Sequence, residues 1–102
     1  MAEKIFDDYN EYEDGTFYEA KVFRVEVSSH YPEGIKYSFQ YCTPEGENIL
    51  RYDNSRHHTD IPSHHKHVGA EEEIEDVEFP GDFLQHFDDF IEEVKNHGGV
   101  IR

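Results

Sequence analysis

Cysteine is all but absent from this sequence, and tryptophan is wholly absent. The single thiol, Cys42, excludes a disulfide within the chain and a cysteine-built zinc site. No apolar run approaches the ~18 residues that a membrane-spanning helix needs. No basic segment followed by an apolar one opens the chain, so no secretory signal is read. A cytoplasmic location without a membrane partner is therefore expected. Positive charge is scarce as well. Nine Lys and Arg stand against 24 Asp and Glu, for a formal net charge of −15. A small domain ordinarily carries a net charge of about 2–8. Such an excess repels polyanions and disfavours non-specific nucleic-acid binding. It also suits docking to a basic protein.

What is present is aromatic. Seven Tyr and eight Phe occur among 102 residues, while hydrophobic residues in total make up only 35%. Each ring can bury roughly 150–250 Å², so about a dozen suffice for one small core. A second core has no residues to build it. Residues 1–16 are expected to form an acidic arm or helical turn, and residues 17–102 a single domain.

In "FYEAKVFRVEV", Phe23, Val25 and Val27 alternate with Arg24 and Glu26, as on a half-buried strand. "IKYSFQYC" alternates more cleanly, with Ile35, Tyr37, Phe39 and Tyr41 on one side. "TPEGE" supplies turn residues, and "NILRYD" follows as an antiparallel third strand. Its end would place Arg51, Tyr52 and Asp53 at a sheet edge or mouth. "HHKHVG" can return as a fourth strand. His65 and His67 would then share one face, with His64 and Lys66 on the other. The acidic run 71–78 reads as a solvated connection. In the C-terminal segment, Phe83, Leu84, Phe87, Phe90, Ile91 and Val94 fall on one helical stripe. Asp82 is the expected N-cap, and Gly98 and Gly99 the stop. His86 lies beside the stripe and is expected to pack or to lie at the surface rather than to catalyse. The fold class is α+β: a small antiparallel sheet of three to four strands covered by a C-terminal amphipathic helix.

The chemistry-bearing groups gather in "RYDNSRHHTDIPSHHKHVG", from Arg51 to Gly69. This stretch holds five of the eight histidines, two arginines and a lysine. Three readings compete. In the first, His57, His58, His64, His65 and His67, with Asp53, supply ligands to zinc, although the spacing matches no strong zinc signature. In the second, two imidazoles act as base and acid on an RNA phosphodiester, with no metal or other cofactor. His65 and His67, or His58, would move the protons. Arg51 and Lys66 would hold the phosphate, Asp53 would orient an imidazole, and Tyr52 would stack or hydrogen-bond. In the third, the stretch is a solvated polar loop.

"RYDN", the paired histidines, "HHKHVG" and the aromatic-rich C-terminal helix together resemble the TumE-type family over roughly residues 17–95. That family comprises small toxin components of toxin–antitoxin pairs. The resemblance implies a cytosolic toxin neutralised by a cognate antitoxin, often a small DNA-binding regulator. It also implies a fold akin to RelE/BrnT-like ribonuclease toxins. The motif falls on Arg51, Tyr52, Asp53, Asn54, His57, His58, His65, Lys66 and His67. The sequence departs from the usual basic character of ribonuclease toxins. The expected function is thus a metal-independent ribonuclease toxin. The alternative is a non-catalytic metal- or protein-binding module of a regulatory pair.

Overall fold

In a computed structural model of the chain, residues 2–29, 31–54, 64–69 and 73–96 are described. They form one open antiparallel sheet and one helix. The strands are β1 (Glu3–Glu11), β2 (Phe17–Arg24), β3 (Ile35–Cys42), β4 (Asn48–Asp53), β5 (His65–Val68) and β6 (Glu73–Asp76). Helix α1 covers Phe83–Asn96. Strand order follows chain order from β1 to β6, so the sheet is a plain meander.

The expected α+β class is observed, but with six strands rather than three to four. Both additions lie at the edges. Residues 3–11, expected in an arm or helical turn, pair with β2 from Glu3↔Arg24 to Glu11↔Phe17. Part of the acidic run, expected as a solvated connection, pairs with β5 from His65↔Asp76 to Val68↔Glu73. β6 is exposed at every position and is held by its ladder with β5 rather than by apolar burial.

Alternation along the central strands sends Ala20, Val22, Tyr37, Phe39, Tyr41, Leu50 and Tyr52 to one face, all buried. α1 lies across that face and buries Phe90 and Val94 against it. Its N-terminal part meets β1, where Phe6 contacts Phe83 and Phe87 edge-on at 5.7 and 5.1 Å. Phe90 packs between Phe39 and Tyr52, at 5.6 and 5.3 Å. Aromatic pairs in such tilted and edge-on arrangements contribute about 0.5–1.5 kcal/mol beyond area burial. Asp82 caps the helix as expected, its Oδ1 accepting from the Leu84 N–H at 3.0 Å.

The helical stripe is rotated from the expected one. Leu84 is 51% exposed, whereas His86 is fully buried among the aromatics. Gly98 and Gly99 lie outside the described residues. The first hairpin turns at Gly15, whose φ is +89°, and a Cβ there would lie 3.0 Å from the Pro44 ring. Both the left-handed backbone and the close approach require glycine. Among the described residues, no helix is long and apolar enough to cross a membrane.

Candidate functional site

The motif "RYDN" sits on β4 and its end, between β3 and β5. Of the expected sheet edge or mouth, the edge is not observed, because "HKHV" returns as a strand beside β4, as the sequence allowed. Antiparallel partners share a face, and the register pairs Arg51 with His67, Tyr52 with Lys66 and Asp53 with His65. Leu50 and Tyr52 are drawn to the helix side by the core. Arg51, Asp53, His65 and His67 therefore stand together on the face of the sheet opposite the helix, with Asp53 and His65 buried there. Asn54 secures this end of the strand. Its Oδ1 accepts from the Tyr37 N–H at 3.0 Å, and its Nδ2 donates to the Ile35 carbonyl at 2.8 Å.

Asp53 is the hub of this cluster. Its Oδ1 lies 3.0 Å from His65 Nε2, and its Oδ2 lies 3.8 Å from His67 Nε2. Arg51 Nε lies 3.1 Å from Oδ2, an ion-pair distance without hydrogen-bond alignment. The two imidazoles meet edge-on with centroids 5.0 Å apart. His65 is only 2% exposed, while the His67 side chain retains 12%. One ligand atom from each of Asp53, His65 and His67 can be chosen so that all lie within 4.8 Å of one another. A concavity of about 240 Å³ opens beside the cluster, lined by Phe23, Lys36, Ser38, Gln40, Arg51 and Asp53.

Two expected members go elsewhere. Tyr52 and Lys66 face the helix, where both bind Glu93. The Tyr52 hydroxyl donates to Glu93 Oε1, and Lys66 Nζ lies 2.9 Å from Oε2. Burial raises the Tyr52 phenol well above its ordinary range, with help from the Glu93 bond. Lys66 is separated from Arg51 by the sheet, so the two cannot grip one phosphate together. His58 and His57 lie outside the described residues, as do His30 and His97.

A second polar group, unexpected from the sequence, is buried on the helix side. His64 Nε2 lies 3.0 Å from Glu33 Oε2, and its Nδ1 lies 2.9 Å from the Tyr37 hydroxyl. The same hydroxyl lies 2.9 Å from His86 Nε2. One set of donors satisfies the chain: His64 Nε2–H to Glu33, Tyr37 O–H to His64 Nδ1, and His86 Nε2–H to Tyr37. His86 Nδ1 then has no partner among the described residues. Desolvation lowers the His86 pKa from 6.5 to about 4, with a smaller contribution from His64. The ring is neutral near pH 7, so it packs rather than titrates there. Burial likewise holds the Tyr37 phenol far above its ordinary range. Glu33 and Glu93 carry no local sequence signal for these roles, because their partners are 31 and 41 residues away.

On the face opposite the helix, Arg51 can hold a phosphate oxygen and His67, the more exposed of the two imidazoles, can move a proton. The same face can also offer two imidazoles and one carboxylate to a cation. The family model described as Toxin TumE matches residues 3–97, nearly the whole chain. No curated protein matches. No solved structure matches, and the expected kinship with RelE/BrnT-like folds is unconfirmed.

Proposed function

This chain belongs to the TumE toxin family, and from that premise we propose that it is the effector of a toxin–antitoxin pair and acts by cleaving RNA. The observation that carries the reading is the joining of Arg51, Asp53, His65 and His67 on the face of β4 and β5 opposite the helix. In an otherwise acidic molecule, this places an arginine beside a carboxylate-oriented pair of imidazoles.

In the proposed reaction, His67, the more exposed imidazole, takes the proton from a ribose 2′-OH. The 2′ oxygen forms a bond to phosphorus as the bond to the 5′ oxygen breaks. The leaving oxygen receives a proton from a second imidazole, His65 or His58. The products are a 2′,3′-cyclic phosphate and a 5′-hydroxyl. Arg51 neutralises the crowded phosphate, and Asp53 orients the imidazoles. No metal takes part in this scheme. Each proton transfer typically contributes about 10²–10⁴-fold.

A toxin of this kind is held in check by an antitoxin. The acidic outer side of α1, with Asp88, Asp89 and Glu92 exposed, suits a basic partner. The test is cleavage of RNA by the purified chain and its variants. His67→Ala and Arg51→Ala are expected to lose at least about 10²-fold in kcat/KM with the fold retained. Full activity in both His65→Ala and His67→Ala would remove the assignment. Expression that leaves growth untouched would favour a non-catalytic binding module instead.

A further inference from the structure

We infer that Asp53, His65 and His67 form a binding site for one divalent ion of the zinc class, and that the bound ion switches off the proton chemistry of the same face. The binding part stands on geometry alone. The inhibitory part rests on the proposed ribonuclease reading.

The donor set is two imidazole nitrogens and one carboxylate oxygen. Imidazole nitrogen suits zinc, copper, nickel and iron, whereas magnesium and calcium prefer all-oxygen shells. Zinc bonds to such donors span about 2.0–2.2 Å, which sets neighbouring donors about 3.4 Å apart in a tetrahedral shell. The present separations are of that order, 3.0 Å from Asp53 Oδ1 to His65 Nε2 and 3.8 Å from Asp53 Oδ2 to His67 Nε2. All three donors lie within 4.8 Å of one another. Small side-chain rotations can therefore complete the shell.

The strands hold this arrangement in place. His65 and His67 are two apart on β5 and so project from the same face. Asp53 stands directly across from His65 on β4. Arg51, 3.1 Å from Asp53 Oδ2, steadies the carboxylate from outside the shell, as outer partners of metal ligands commonly do. Burial of His65 and Asp53, at 2% and 7% exposure, limits competing water. Three protein donors leave a fourth position for water, as in open zinc sites.

Ligation uses the Nε2 lone pair that an imidazole needs to accept a proton. A metal-bound His67 cannot act as a base, and the ion's charge opposes protonation of its neighbour. The loaded site is consequently inert in acid–base cleavage, and removing the ion restores it.

Titration of chelator-treated protein with zinc, followed by calorimetry and native mass spectrometry, tests the binding. Cobalt added in its place reports ligation through its visible absorption. One ion per chain is expected, with affinity at least tenfold weaker in Asp53→Asn and His67→Gln. Because His65 is deeply buried, the partly exposed His67 carries the decisive variant, and circular dichroism checks its fold. No ion retained by the wild type in excess zinc, or unchanged affinity in both variants, would overturn the site. RNA cleavage measured on the same samples separates the two readings. Cleavage is expected to be full in chelator and to fall as zinc reaches one equivalent. Cleavage that requires zinc would overturn the inhibition, and so would cleavage unaffected by a bound ion. Binding of zinc by a chain that cleaves no RNA under either condition would overturn the ribonuclease reading and the inhibition, but leave the site standing.

Discussion

His86 shows how one residue can tie the fold to pH. Its ring is fully buried and neutral, with a folded pKa of about 4 against 6.5 in the unfolded chain. Between those values the unfolded chain binds a proton that the folded one refuses. The associated stability is complete above pH 6.5 and is lost as pH falls toward 4, by on the order of 2–3 kcal/mol. His86→Gln can keep the donation to the Tyr37 hydroxyl without titrating. Urea midpoints of the wild type and this variant are expected to differ less at pH 4.5 than at pH 7. An equal gap at both would show that other groups carry the acid sensitivity. At this scale the candidate site was half legible. The alternation in "NILRYD" and "HKHV" separates Arg51, Asp53, His65 and His67 from Tyr52 and Lys66 once the apolar positions define the core side. The alternation already set Lys66 on the face opposite His65 and His67, and the shared phosphate role given to Arg51 and Lys66 overlooked that division. The pairing of Tyr52 and Lys66 with Glu93 is long-range and leaves no local trace.

Among the elements, α1 and β6 mark opposite limits of what pattern reveals. The helix announces itself by period, cap and charge, yet its buried side is shifted. Leu84 points to solvent, while His86, polar by type, is accepted into the core because Tyr37 lies within hydrogen-bonding reach. Leu84→Asp is expected to change stability by less than about 0.5 kcal/mol. Phe90→Ala, in the middle of the aromatic contact, is expected to cost about 3–5 kcal/mol. Thermal or urea unfolding distinguishes these outcomes. Glu93→Ala removes the acceptor of both Tyr52 and Lys66, and is expected to cost about 1–3 kcal/mol although it lies near the helix end. β1 was hidden by a bulge between Lys4 and Phe6, which breaks its alternation, and by its acidic outward residues. β6 has four exposed residues and no apolar rhythm, so only its ladder with β5 defines it.

For the molecule as a whole, net charge sets the terms of any encounter with RNA. Fifteen net negative charges repel the polyanion, and Arg51 and Lys36 beside the concavity offer only a small local attraction. If RNA is the substrate, kcat/KM is expected to stay level or rise between 50 and 200 mM salt, because screening weakens the repulsion. A basic protein making 6–10 phosphate contacts would instead lose affinity by about 10³–10⁵-fold across that range. A steep fall here would reveal a larger cationic footprint than Arg51 and Lys36 provide. The meander has a further consequence, for the order of assembly. Each strand bonds only to its neighbours in the chain, so most pairings are local and folding can advance hairpin by hairpin. β1 to β4 can form while β5 is still missing. Arg51 and Asp53 are then in place without either histidine. The β4-to-β5 connection spans residues 54–64, close in length to the β2-to-β3 link at 25–34, so the two closures cost about the same entropy and chain order sets which comes last. During synthesis, the face that joins Arg51 and Asp53 to His65 and His67 therefore comes into being late, after most of the sheet that bears it has already folded.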